Sequence, residues 1–180
     1  RPDEREPVEQ VRADAMPAGV AARVGYELVK ATAEVVVPRT VAIDRAVRAW
    51  AGPQVVILGA GLDGRAWRLA ELAAATVYEV DHPASQQDKR DRTAELTPLA
   101  GELRWVPVDL SRDPLDEALD AAGHEAGTPT TWVWEGVVPY LTEAEVEATV
   151  EAVARRSAPG SGLVVNYQAP GVGAAAGRMA

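Results

Sequence analysis

At 180 residues with 47% apolar side chains, the chain has the length and hydrophobic content of one domain with a substantial core. Its formal net charge of −9 argues against a nucleic-acid partner, whose phosphates need a basic face. The lack of cysteine removes disulfides, thiolate catalysis and cysteine-ligated metals. Two histidines, His82 and His124, are too few for a histidine-rich metal site.

No apolar run approaches the roughly 20 residues that span a bilayer. The opening Arg-Pro-Asp-Glu-Arg-Glu-Pro also lacks the apolar region of a signal peptide. The expectation is a soluble cytoplasmic protein with no membrane partner. A chain opening on Arg1 also reads as one from which part of the N-terminus has been removed or left out.

Residues 1–7 read as a flexible charged lead-in and residues 8–15 as a short helix before Met16-Pro17. Val20, Val24, Leu28 and Val35 recur at helical spacing through residues 18–36. Pro38 predicts a break, and a further helix runs over residues 39–50 until Gly52-Pro53 stops it. Val55-Val56-Ile57-Leu58 is a branched apolar run, the signature of a strand buried on both faces. It leads straight into Gly59-Ala60-Gly61-Leu62-Asp63-Gly64, a turn whose glycines let the backbone approach a ligand, with a helix expected over residues 62–72.

A second strand over residues 76–80 ends on Asp81, and Pro83 opens a polar surface helix over residues 84–96. A third strand, residues 103–108, ends on Asp109, and a helix follows over residues 114–122. Residues 123–129 form a surface loop in which His124 has no expected role. The fourth strand, residues 130–134, ends on Glu135-Gly136. Thr142 with Glu145 is a capping box opening a helix to about residue 157, and a fifth strand covers residues 163–167. Strands alternating with helices give an α/β, Rossmann-like, doubly wound and mostly parallel sheet preceded by helices. The expected division is a helical segment over residues 1–52, a cofactor-binding domain over 53–170 and a flexible tail over 171–180.

The first four strands each end on a glycine or an acid: Gly59, Asp81, Asp109 and Glu135. In an open α/β sheet the ligand lies outside the carboxyl ends of the strands, so several acids meet in one crevice. Gly59, Gly61 and Gly64 formally complete the G-x-G-x-x-G of a dinucleotide site, with Asp81 placed for ribose hydroxyls. Asp63 inside that loop opposes a pyrophosphate and tolerates a sulfonium cation. Asp81 suits either cofactor, whereas Asp109 with Leu110 suits an adenine amino group and Glu135 adds an acid with no standard nicotinamide role. Asp109 also suits a helix cap or turn, and Asp63 a cap for the helix after the loop. His82, before a proline at a helix start, reads as a structural neighbour of the site.

Taken in order, Pro38-Arg39-Thr40 with Asp44, Leu58 through Arg65, Glu79-Val80-Asp81-His82-Pro83, Val108-Asp109-Leu110 and Trp134-Glu135-Gly136-Val137 with Tyr140-Leu141 resemble the leucine carboxyl methyltransferase family, bacterial members in particular. These are class I S-adenosylmethionine-dependent methyltransferases. The resemblance spans residues 38–141, with Asn166-Tyr167 fitting the following strand. It implies S-adenosyl-L-methionine as cofactor and no resident metal. Arg39 would pair with the cofactor's carboxylate, and Gly59, Ala60 and Gly61 would pass close to its methionine part. Asp63 and His82 would lie beside it, Asp81 would accept the ribose hydroxyls, Asp109 and Leu110 would hold adenine, and Glu135 would sit near the amino group. No residue is singled out as a general base. That favours O-methylation of a small-molecule carboxylate or acidic hydroxyl, since a carboxyl of pKa about 4 is already ionised at pH 7. An NAD(P)-dependent oxidoreductase and a non-catalytic cofactor-binding module are the alternatives. Relatives carry two more strands after the fifth, where this sequence has a glycine- and alanine-rich tail. A fifth strand left as a sheet edge would invite a second copy to pair with it as a homodimer.

Overall fold

The computed structural model describes residues 20–167, with side chains from residue 34 onward; the expected lead-in, first short helix and tail lie outside the described residues. The chain forms two compact units, Arg1–Arg45 and Ala46–Ala180. A single helix, α1 (Val20–Trp50), contains Pro38, where the sequence predicts two helices and a break. Proline removes one N–H and crowds the carbonyl of Glu34. Ending a helix there would strand four donors and four acceptors, so continuing costs less.

The second unit is built on five parallel strands: β1 (Gln54–Leu58), β2 (Thr76–Asp81), β3 (Glu102–Pro107), β4 (Thr130–Trp134) and β5 (Gly162–Val165). Their order across the sheet is β3-β2-β1-β4-β5. Between them run α2 (Arg65–Arg68), α3 (Pro83–Thr93), α4 (Leu115–Ala121) and α5 (Glu143–Arg155). Every residue of β1 and of β4 is buried, as expected of parallel strands covered on both faces. Val56 lies between Tyr78 and Trp132, and Leu58 between Val80 and Trp134. These side chains join Leu115 and Leu119 of α4 and Ala152 and Val153 of α5 in one core cluster. Glu79, alternating with Tyr78 and Val80, faces the other way and reaches Lys89 of α3, so helices cover both faces. Among the described residues, no helix is long and apolar enough to cross a membrane.

Three local features follow from particular residues. Thr142 and Glu145 form the reciprocal capping box that opens α5. The helix after the glycine loop is one turn, α2, followed by a 3-10 turn over Ala70–Leu72, and is shorter than the sequence predicts. The Asp63 carboxylate accepts the N–H of Arg65 at 2.7 Å, which keeps residues 62–64 in a turn. Leu69, extended at φ −94° and ψ 105°, stops the helix. His124 is buried where the sequence predicts a surface loop.

His124 belongs to a polar network at the amino ends of the strands. Its Nε2 meets Thr130 Oγ1 at 3.0 Å, and its Nδ1 accepts from Arg156 Nε at 3.2 Å. Gln54 donates to the Glu125 carbonyl and accepts the Glu125 N–H, both at 2.9 Å. The Tyr78 hydroxyl donates to the Gly123 carbonyl at 2.9 Å. These bonds satisfy the loop's buried backbone and fix it to the sheet.

Burial, and then the charge of Arg156, push the His124 pKa down from 6.5 to about 4. Between those values the unfolded chain binds a proton that the folded chain refuses. The corresponding stability is present above pH 6.5 and lost as pH falls to 4. Glu79 has the opposite sign: burial raises its carboxyl from 4.5 to about 7 despite Lys89. Its contribution is full below pH 4.5 and lost as pH rises through 7, so each group masks the other. In Glu79→Gln/Lys89→Met, urea denaturation is expected to show stability rising from pH 4 to 6.5. Adding His124→Gln should flatten that rise, and equal slopes in the two variants would contradict a buried neutral histidine.

Candidate functional site

Gly59 leaves β1 at φ +64° and Gly61 follows at φ +45°, both in the left-handed region that favours glycine. A Cβ at Gly59 would stand 2.2 Å from Val137 Cγ2, so only glycine lets the loop pass the segment after β4. Ala60 N–H donates to the Val80 carbonyl at 3.0 Å, and Asp63 N–H to the Ala60 carbonyl at 2.7 Å. The loop is thereby tied to β2 and closed on itself. Gly64, at φ −99°, needs no special conformation, so the third glycine of the dinucleotide pattern is not required by the backbone.

Asp81 ends β2 beside this loop. One carboxylate oxygen accepts the N–H of Gly61 and the other the N–H of His82 at 2.6 Å. Each oxygen keeps capacity for a further donor. His82 caps α3, its Nδ1 accepting the Ala84 N–H at 3.2 Å ahead of Pro83. Val108 N–H donates to the Asp81 carbonyl at 2.8 Å, bringing the end of β3 alongside. There Asp109 Oδ1 accepts from Ser111 N at 3.0 Å and Ser111 Oγ at 2.6 Å. Those bonds hold its carboxyl below the usual range. Asp109 thus builds a turn, and Leu110 packs against the core.

At the end of β4, Gly136 (φ +74°) donates its N–H to Asn166 Oδ1 at 2.6 Å, and Asn166 N–H returns to the Trp134 carbonyl at 3.2 Å. Glu135 meets a residue with no expected role, Arg65, whose Nη2 lies 2.8 Å from Glu135 Oε2. Arg65 Nη1 pairs with Asp63 Oδ2. Asp63 is therefore no uncompensated acid inside the loop, as the sequence suggested, but half of a buried ion pair. The signal was local: Asp63-Gly64-Arg65 places opposite charges two residues apart inside a turn.

The strand ends bring together Gly59, Ala60, Gly61, Asp63, Asp81, His82, Asp109, Leu110 and Glu135 in one unit. Arg39 lies on α1 in the first unit, and the cluster belongs to the second alone. The carboxylates of Asp63, Asp81 and Glu135 stand about the loop, two of them paired with Arg65. Such a surface accepts hydrogen bonds from hydroxyls and amines, favours a cation and disfavours a pyrophosphate.

The model of the family described as leucine carboxyl methyltransferase matches residues 3–154. A protein of Mycobacterium avium (strain 104), named provisionally as an S-adenosyl-L-methionine-dependent methyltransferase, is 46% identical over 114 residues, covering 62% of this chain and 36% of that protein. One from Streptomyces coelicolor with a name of the same kind is 40% identical over 120 residues, covering 66% and 42%. The chain thus spans about two fifths of the length of the curated relatives it matches. The crystal structure of the glycopeptide N-methyltransferase MtfA superposes with a TM-score of 0.51 at 22% identity, over 68% of this chain and 53% of that one, a likeness of fold. With the family model covering most of its residues, the chain belongs to the leucine carboxyl methyltransferase family.

Proposed function

We propose that the glycine loop binds S-adenosylmethionine and that the protein transfers its methyl group to an oxygen of a small-molecule acid, a carboxylate or acidic hydroxyl. The observation that carries this reading is the Asp81 carboxylate, fixed by the N–H groups of Gly61 and His82 beside the glycine loop. The residues fit such a group. Asp81 has acceptor capacity for two ribose hydroxyls, the glycines leave the backbone bare, and the strand-end acids suit a cation. The names of the relatives support the same cofactor.

When bound, S-adenosylmethionine supplies a methyl group already activated by its sulfonium. The chain's own residues would then bind and align. Asp81 would hold the ribose, Asp109 with the backbone of Leu110 the adenine, and Gly59, Ala60 and Gly61 the methionine part. Glu135 would face the amino group, Asp63 would act through Arg65, His82 would shape the ribose side, and Arg39 would pair with the carboxylate. Neither histidine is placed as a base: His82 Nδ1 caps α3, and His124 lies at the amino ends of the strands. An acceptor with a pKa of about 4 needs none at pH 7.

Calorimetry with S-adenosylhomocysteine is expected to give saturable binding, weakened about ten- to a hundredfold in Asp81→Asn. Binding of NAD in its place would favour the oxidoreductase reading, and binding of neither the non-catalytic one. Transfer of a labelled methyl group is expected to carboxylic acids or acidic phenols. Transfer to amines alone would overturn the oxygen assignment.

A further inference from the structure

Arg65 is 2% exposed, yet it carries a full charge. A buried guanidinium persists where carboxylates compensate it, and removing one partner of such a group is far costlier than the pair is favourable. The two partners here have different origins. Asp63 belongs to the same loop and is engaged on both oxygens, one by the Arg65 N–H and one by Nη1. Glu135 comes from the end of β4, and its side chain is the more open of the two, 15% exposed against 9%. The planar fork of arginine can serve two carboxylates at once, which the single ammonium of lysine cannot match.

Resting on the cofactor reading above, we infer that Arg65 is a positioning residue: anchored by Asp63, it holds Glu135 for the amino-acid end of S-adenosylmethionine. The ribose end is held differently, since Asp81 depends on the backbone of Gly61 and His82. The two ends of the site are therefore separable by mutation. Loss of the Arg65 fork removes one partner of Glu135 and leaves the donors to Asp81 in place.

Two ligands read this out by calorimetry: S-adenosylhomocysteine, and 5′-methylthioadenosine, which has the same nucleoside and thioether without the amino acid. Arg65→Lys is expected to weaken S-adenosylhomocysteine by about tenfold or more and to leave 5′-methylthioadenosine unchanged. Asp81→Asn should weaken both. Asp63→Asn loosens the anchor of Arg65 and leaves Glu135 unaltered, so it carries the test if Arg65→Lys does not fold. It should reproduce the selective loss, and the double variant should lose no more than either single one. Equal weakening of both ligands by Arg65→Lys, or none, would overturn the positioning role while leaving the cofactor reading intact. A wild-type protein that binds neither ligand would overturn both.

Discussion

The hydrogen bonds from Gly61 and His82 to the carboxylate of Asp81 are the constraint on which the site depends. They join the turn after one strand to the end of its neighbour, and they do so through backbone donors that no side-chain change can supply. The loop must present Gly61 N–H toward Asp81, which requires a left-handed residue there and a bare Cα at Gly59 against Val137. The parallel register sets this up, because Leu58 stands beside Val80 and Trp134 and so brings three strand ends level. The buried Trp132 and Trp134 in turn hold that register from one side of the sheet.

Charge is arranged in two layers around this point. Near the crevice, Arg65 pairs with two of the acids, Asp63 and Glu135, while backbone donors hold the third, Asp81. On the same side of β2 as Asp81, Glu79 and Lys89 lie fully buried 2.6 Å apart, with Lys89 5.1 Å from the centre of the Trp67 ring. Burial dominates Glu79 even with a cation beside it, and the charges of Asp63 and Asp81 add to the upward push on its carboxyl.

Much of the fold was legible in the sequence because its signals are local. Short apolar or alternating stretches bounded by turns or strand-end acids marked all five strands to within a residue or two, with residues 130–134 matching β4 at both ends. The Thr142–Glu145 pair gave the start of α5. The strand-end acids gave the cluster, since a strand that stops on an acid in a parallel sheet has one end of the molecule to point to. What escaped depends on partners distant along the chain. Nothing near Arg65 announces that Glu135 completes its ion pair, and nothing in residues 123–129 announces that Gln54, Thr130 and Arg156 bury His124. Pro38 misled for the opposite reason: a strong local breaker was overridden by the cost of ending a long helix.

The central claim is that Asp81, held by the loop backbone, receives the ribose of S-adenosylmethionine. A crystal structure with S-adenosylhomocysteine tests it most directly. The expected result is both ribose hydroxyls on the Asp81 carboxylate, with the thioether beside Gly59 and Gly61. A ligand bound away from this loop, or a ribose turned from Asp81, would contradict it.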